Sequence, residues 1–377
     1  MICKLIDYAN ITMGQSPASK FYNSSGLGTP FLQGNRTFGR KYPSFDTWTT
    51  SVSKMARKGD VIMSVRAPVG ELNIAPDDFC LGRGVCSIRS NDPNQEFLFY
   101  LLKYSISRLL SKQTGTVFGS VNRNDIGNLV IDLPSYERRT KIGRILSAID
   151  LKIQINERIN GCLEAQAERL FERELLRFED LPEGWKLGSL LDIADYTNGL
   201  AMQKYRPLEG SGMPVLKIKE LRQGFCDSES ERCDYGIDDN YHIQDKDVIF
   251  SWSGSLLVDF WCGGHCGLNQ HLFKVSSKKY PKWFFYAWTK HYQEHFAGIA
   301  AGMATTMGHI KRSELAKAKV LIPNPDDFDR IGLEIEPLYK TIISRRLENA
   351  RLSMMRDSLL PKLMSGEIHV DSIRSDQ

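Results

Sequence analysis

One short strand occurs twice in this chain, and that recurrence limits what the chain can fold into more than any other feature. "KGDVIMSVRAPVG" begins at Lys58 and "DKDVIFSWSGSLL" at Asp245, so Asp60, Val61 and Ser64 meet Asp247, Val248 and Ser251 at an offset of 187. In the first copy Val61, Met63 and Val65 alternate with Ile62 and Ser64, the period-two pattern of a half-buried strand. A second match comes at an offset of 189. It sets "GSVNRNDIGNLVIDLP" (119–134) against "GHIKRSELAKAKVLIP" (308–323), with Arg123 on Arg312, Asp125 on Glu314, Ile126 on Leu315 and Pro134 on Pro323. Between them lie "NQEFLFYLL" from Asn94 and "PKWFFYAWT" from Pro281, both aromatic-rich and of helical length. Earlier, "TPFLQG" (29–34) sits about where "MPVLKIKEL" (213–221) sits in the second half. Offsets that agree within two residues over such a distance imply two copies of one domain, each with strands, a helix and a closing strand.

After each closing proline the pattern changes to helix. From Tyr136 some forty residues contain no Pro and only two Gly, with Ile142, Leu146, Ile149, Ile153, Leu163, Ala167 and Leu170 at the three-and-four spacing of a coiled-coil seam. Asn156 and Asn160 interrupt it, and a polar seam residue lowers stability while selecting register and partner. The second copy places Ile331, Ile335, Leu338, Ile342, Asn349, Leu352 and Leu359 on its own seam, with Arg345 at the position of Asn156. Two such stripes in one chain are buried best against each other, as an intramolecular coiled coil. At ~1.5 Å per residue, forty residues span about 60 Å, enough to hold two domains apart. The competing arrangement packs each helix on its own domain. The expected fold class is α+β: two pseudo-repeated β-rich domains separated by two long helices forming a coiled coil. The divisions fall at 1–134, 135–178, 179–323 and 324–368, with a tail at 369–377.

Length and composition agree with a packed protein of two domains. The chain has 377 residues, 42% apolar and 25% charged. No run approaches the ~18 consecutive apolar residues of a membrane span, and "MICKLIDYANITMG" lacks a signal-peptide core, so a cytoplasmic location and no membrane partner are expected. Eight cysteines without framework spacing are expected to be reduced. Residues 1–134 carry 15 Lys and Arg against 10 Asp and Glu, while 179–323 carry 17 against 18. The second set is unevenly placed: acids crowd 227–247, and Lys274, Lys278, Lys279, Lys282, Lys290, Lys311, Arg312, Lys317 and Lys319 crowd another stretch, the side that would meet a polyanion.

A catalytic constellation is not evident. The sequence lacks a phosphate-cradling loop, a dinucleotide fingerprint, H-E-x-x-H and the Asn/Asp-Pro-Pro-aromatic motif of an amino-methyltransferase; "PNPDD" at Pro323 is not one. "WCGGHCGLNQH" (261–271) offers Cys262, His265, Cys266 and His271, but Cys226 and Cys233 have the wrong spacing to complete a zinc site. The first domain has no equivalent cluster. A β-hairpin carrying Cys and His without a metal is the expectation, and the chain is expected to catalyse nothing.

Several stretches carry a family resemblance: "FLQGNRTFG…YP", "KGDVIMSVRAPVGELNIAPDDFCLGRG", "GLNQHLFKV", "LPEGWKLGSLLDIA" (181–194), "VLIP" and the terminal "LLPKLMSGEI" (359–368). Over nearly its whole length the chain resembles the DNA-specificity (S) subunit of a type I restriction-modification enzyme. The first copy departs by lacking the "LPEGW" lead-in of the second. The resemblance implies a non-catalytic reader of double-stranded DNA, α+β in class, with two target-recognition domains separated by two long helices forming an antiparallel coiled coil. It also implies two methyltransferase (M) subunits as partners, joined in some complexes by endonuclease (R) subunits. The site would be bipartite and methylated on adenine N6, with S-adenosylmethionine held by the M subunits and no cofactor on this chain.

Base readout needs side chains that donate and accept at base edges, with Arg on guanine and Asn or Gln on adenine the commonest pairs. The candidates are Gln15, Gln33, Asn35, Arg36, Arg66 and Arg83 in the first domain, and Gln203, Lys217, Lys219, Arg222, Asn269, Gln270 and His271 in the second. Ser120, Asn122, Arg123, Lys311 and Arg312 precede the closing strands and read better as phosphate contacts. For each, the plain alternative is a solvated or turn-stabilising residue. Two rival functions remain open at this level: a stand-alone DNA-binding regulator, and a coiled-coil scaffold with two β-rich binding domains that do not touch DNA.

Overall fold

A computed structural model describes residues 1–110, 119–178, 180–207, 211–301 and 310–370. The first copy runs β1 (Ile2–Lys4), α1 (Leu5–Tyr8), β2 (Ala9–Met13), β3 (Tyr22–Asn23), β4 (Thr29–Leu32), β5 (Trp48–Thr49), β6 (Met55–Ala56) and β7 (Val61–Ser64). It continues with β8 (Leu72–Ile74), β9 (Phe79–Leu81), β10 (Val85–Ser90), α2 (Gln95–Leu110), α3 (Arg123–Gly127) and β11 (Val130–Asp132), followed by the long α4 (Tyr136–Phe171). The second copy begins with β12 (Lys186–Ser189), α5 (Leu190–Ile193), β13 (Asp195–Asn198), β14 (Met213–Leu216), α6 (Ile218–Gln223), β15 (Arg232–Cys233) and β16 (His242–Ile243). It goes on through β17 (Val248–Ser251), β18 (Leu257–Phe260), β19 (Cys266–Leu268), β20 (Leu272–Ser276), α7 (Lys282–His291), α8 (Gln293–Ala301), α9 (Arg312–Lys317) and β21 (Lys319–Ile322) to α10 (Pro325–Ser365).

The sheets repeat as the strands do. Order β2-β10-β7-β8 in the first copy matches β13-β20-β17-β18 in the second, and β1-β11 matches β12-β21. A further sheet, β3-β5-β4-β9-β6, corresponds to β15-β14-β19-β16, and each contains one parallel pair, β4 with β9 and β14 with β19. Beside β1, Met1 N donates to Leu133 O at 2.7 Å; ahead of β12, Trp185 Nε1 donates to Asp327 of α10 at 2.9 Å.

The repeated strand is not half-buried as its alternation suggests. Val61, Ile62, Met63 and Ser64 are all buried, because the strand serves two cores. Val61 and Met63 face the packing of α2 on the sheet, while Ile62 joins Leu32, Phe79, Leu81 and Val85 on the other side. Val248, Phe250 and Ile249 divide in the same way in the second copy. An antiparallel strand covered on both faces cannot be told from a half-exposed one by period alone.

The chain divides into two compact units, Met1–Leu151 with Ser353–Gln377, and Lys152–Leu352, so the division falls inside both long helices. Within each unit the helices run antiparallel. In the first, Arg356 of α10 meets Asp150 of α4 at 2.6 Å and Arg138 donates to Leu363 O at 3.0 Å. In the second, Asn156 meets Asn349 at 2.8 Å and Arg173 meets Glu334 at 2.9 Å. Partner numbers fall as α4 numbers rise, which is the antiparallel sense. The seam is close to the expected one, with Leu360 and Leu363 buried where Leu359 is only partly covered. Leu360, Leu363 and Val370 belong to the core of the first unit, so the C-terminal segment completes the N-terminal domain.

Candidate nucleic-acid interface

Backbone hydrogen bonds gather distant candidates at one end of the first domain's central sheet. Val65 N donates to Gly84 O (2.9 Å), Gly84 N to Gln33 O (3.1 Å), Gln15 N to Leu81 O (3.0 Å) and Val121 N to Val65 O (3.1 Å). Arg66 and Ser120 form an isolated bridge, and Arg83 N donates to Ser16 Oγ at 3.1 Å. Gln15, Gln33, Arg66, Arg83 and Ser120 therefore occupy adjoining loops, all exposed, although they are drawn from five chain segments. Arg123 follows at the first position of α3 and is also exposed. Close approach requires glycine here: a Cβ on Gly14 would lie 2.1 Å from Gly82 O.

The second domain builds the same cluster with different side chains. Gly199 N donates to Leu272 O (3.0 Å) as Gly14 N does to Val85 O, and a Cβ on Gly199 would lie 2.2 Å from Asn269 O. Leu200 N donates to Leu268 O, Asn269 N to Leu216 O, Gln270 N to Leu200 O and Ile310 N to Trp252 O. Ser253 Oγ hydrogen-bonds His271 Nδ1 at 3.2 Å, and Gln270 Nε2 approaches His271 Nε2 at 3.4 Å. Trp252, whose Nε1 donates to Asn198 Oδ1 at 3.1 Å, belongs to this cluster and escaped the sequence reading. Its signal was available, since "SWSG" replaces "SVRA" at the end of the repeated strand.

Other candidates are engaged within the protein. Asn269 is 4% exposed and accepts from His271 N, so as placed it is closed to a base. Arg36 pairs with Asp46 at 2.6 Å and Asn35 donates to Glu71 at 2.7 Å. Lys217 pairs with Glu231. Lys219 meets Asp227 at 3.2 Å, a hydrogen bond that holds the Asp227 carboxyl below its usual range. Asn122 caps α3, its Oδ1 accepting from Asn124 N and Asp125 N. These side chains could reach DNA only by exchanging a partner. Gln203 and Arg222 are exposed, and Arg222 lines an open cavity of about 460 Å³ with Ile218, Lys219, Gln223 and Ser255. Lys311 and Arg312 open α9 and are exposed.

The Cys and His residues of 261–271 go separate ways. Cys262 and Cys266 are buried, His265 hydrogen-bonds His242 at 3.0 Å, and His271 turns to Ser253. Among the described residues no three His, Cys, Asp or Glu side chains converge as metal ligands. All eight cysteines are free thiols. No helix among the described residues is long and apolar enough to cross a membrane.

The family described as "Type I restriction modification DNA specificity domain" matches residues 3–165 and again 182–352. The chain belongs to this family. Two matches in one chain coincide with the two structural copies. A type I restriction enzyme MjaIX specificity subunit from Methanocaldococcus jannaschii is 24% identical over 98% of this chain and 94% of its own length. A putative type I restriction enzyme MjaX specificity subunit from the same organism is 38% identical, over 43% of this chain and 39% of its own. The crystal structure of a type I restriction-modification S subunit from M. genitalium superposes with a TM-score of 0.58 at 15% identity, covering 97% of this chain and 96% of that one, a likeness of fold. Recognition of DNA sequence is the work of this specificity family, which is generally non-catalytic.

Proposed function

We propose that this specificity chain reads a bipartite DNA site, one half-site per domain, and directs adenine-N6 methylation by two M subunits that hold S-adenosylmethionine. Endonuclease subunits would add cleavage, and the complex would work in the cytoplasm. The observation that carries this reading is the pair of equivalent loop clusters, alike in backbone and different in side chain. A regulator reading one palindrome with two identical copies would have no use for that difference, and a DNA-independent scaffold would not need exposed arginines at the same sheet end.

The test is a domain exchange. Residues 181–323 are replaced by the corresponding domain of a relative, the chimera is co-expressed with its M subunits, and the methylome is sequenced. One half-site is expected to change while the other persists. Loss of both from a folded chimera would overturn the reading.

A further inference from the structure

The two copies can be superimposed residue by residue through their ladders, and the comparison separates two kinds of arginine. In the first copy Ser64 pairs with Val85 and Val65 N donates to Gly84 O, so the register count brings Arg66 opposite Arg83. In the second, Ser251 pairs with Leu272 and Trp252 N donates to His271 O, so Ser253 stands opposite Gln270. Position 66 is thus position 253, and position 83 is position 270. Arg123, by contrast, keeps its identity as Arg312 at the first residue of equivalent helices.

We infer that this sheet end sets base identity in each half-site: Arg66 and Arg83 select guanine in one, and Gln270 selects adenine in the other, with the buried Ser253 holding His271 beside it. The inference rests on the proposed DNA-reading function. Three observations carry it. Arg66 and Arg83 are both exposed, and neither has a side-chain partner among the described residues, unlike Arg36 with Asp46. By the register count the two arginines stand near each other at the sheet end, just beyond the last ladder pair Ser64–Val85, and like charges brought close repel each other. That local cost is offset when both meet acceptors, and guanine O6 and N7 are a pair of acceptors suited to the guanidinium fork.

The second observation favours a base target over phosphate: the phosphate backbone is the same at both half-sites, and the position of Arg123 and Arg312 keeps its positive charge in both copies while positions 66 and 83 lose theirs in the second. The third is the second copy's own chemistry. Gln270 carries a donor and an acceptor on one amide, the combination that adenine N6 and N7 require. The contact of its Nε2 with His271, itself bonded to Ser253, orients that amide and leaves a second N–H to donate.

The experiment uses the full chain with its M subunits and reads the methylated motif genome-wide. The wild type is expected to show guanine in one half-site. Arg83→Gln should relax or replace one guanine there, lowering discrimination by roughly 5- to 150-fold, with the other half-site and the spacer unchanged. Arg83→Lys keeps the charge but loses the fork, so it should lose guanine discrimination while DNA affinity keeps its salt slope. Gln270→Arg should bring guanine into the other half-site. Thermal melts of the two Arg83 variants should match wild type, since that side chain is exposed. Wild-type motifs without guanine in either half-site, or an Arg83→Gln enzyme weakened equally on all sequences, would overturn the assignment while leaving the DNA reader intact. A wild-type complex with no sequence-defined methylation would instead remove the reading beneath it.

Discussion

Asn156 of α4 donates from Nδ2 to Oδ1 of Asn349 on α10 at 2.8 Å, and both lie buried in the seam of the second unit. The pair is enclosed by its own network. Arg345 donates to Asn156 Oδ1 at 3.0 Å, Asn349 Nδ2 donates to Ile153 O at 3.3 Å, and Asn160 Nδ2 reaches Ile342 O at 3.4 Å. Any axial slip would leave these amides unpaired in an apolar seam, so the network selects one register.

Asn156→Leu alone should therefore destabilise the protein by about 1–3 kcal/mol, because Asn349 loses its partner while staying buried. Asn156→Leu with Asn349→Leu should recover much of that loss. Urea titrations of the two single variants and the double variant form the thermodynamic cycle. Additive losses would show that the two amides do not act as a pair.

Lys246 holds φ at 76°, the left-handed conformation that Gly59 holds at 84° in the first copy. The turn is the same in both: Gly59 N donates to Ala75 O and Lys246 N to Trp261 O. Nothing lies within 4 Å of a Cβ built on Gly59, so the cost of a side chain there is conformational rather than steric. Lys246→Gly should raise stability by up to about 1 kcal/mol, and Gly59→Ala should lower it by about as much. Thermal denaturation monitored by circular dichroism would measure both.

Asp150 is buried among Tyr100, whose hydroxyl donates at 2.5 Å, Arg356 at 2.6 Å and Lys41 at 3.6 Å. Burial pushes its carboxyl up, but these donors and charges outweigh burial and hold it below the usual carboxylate range. A lowered folded-state value adds stability above the unfolded value, near pH 3.8, that disappears as pH falls through the folded one. Asp150→Ala should cost about 3–5 kcal/mol at neutral pH, since it leaves the Arg356 charge buried without this partner. The difference from wild type should shrink as both are titrated below pH 4, which pH-dependent urea melts would detect.

Lys311 and Arg312 are exposed at the start of α9, a position suited to phosphate. With M subunits present, replacing both by Ala should reduce the slope of log affinity against log salt by about two, at ~0.9 per neutralised phosphate. Fluorescence anisotropy across salt concentrations tests this. A changed methylation motif would reassign them as base readers.

Helix length offers a test of spacing. Because Asn156 and Asn349 lock the register, an insertion in α4 alone would pull them apart. Matched four-residue insertions, between Leu151 and Lys152 and between Leu352 and Ser353, lengthen each helix by ~6 Å and nearly preserve the seam. At about 3.4 Å per base pair the methylated half-sites should then lie one or two base pairs further apart. An unchanged spacer in an active variant would show that the helices do not set it.

The sequence by itself determined the duplication, the long helices and their polar interruptions, because each is written as a local pattern: recurring strand residues, heptad-spaced apolar residues, Asn156 and Asn160 among them. The family followed from the same stretches. Tertiary structure decided which candidates stand free. Asp46, 10 residues from Arg36, Glu231, 14 from Lys217, and the fold of the loop over Asn269 consume groups that look available in a linear reading. It alone paired Ser64 with Val85 and Ser251 with Leu272, the register from which Arg66 counts to Arg83 and Ser253 to Gln270, since ladder register depends on backbone pairing between segments far apart in sequence. It also placed Leu360, Leu363 and Val370 in the core of the N-terminal domain. An apolar stripe states that a face must be buried and leaves open against what, and only the packed chain supplies the partner.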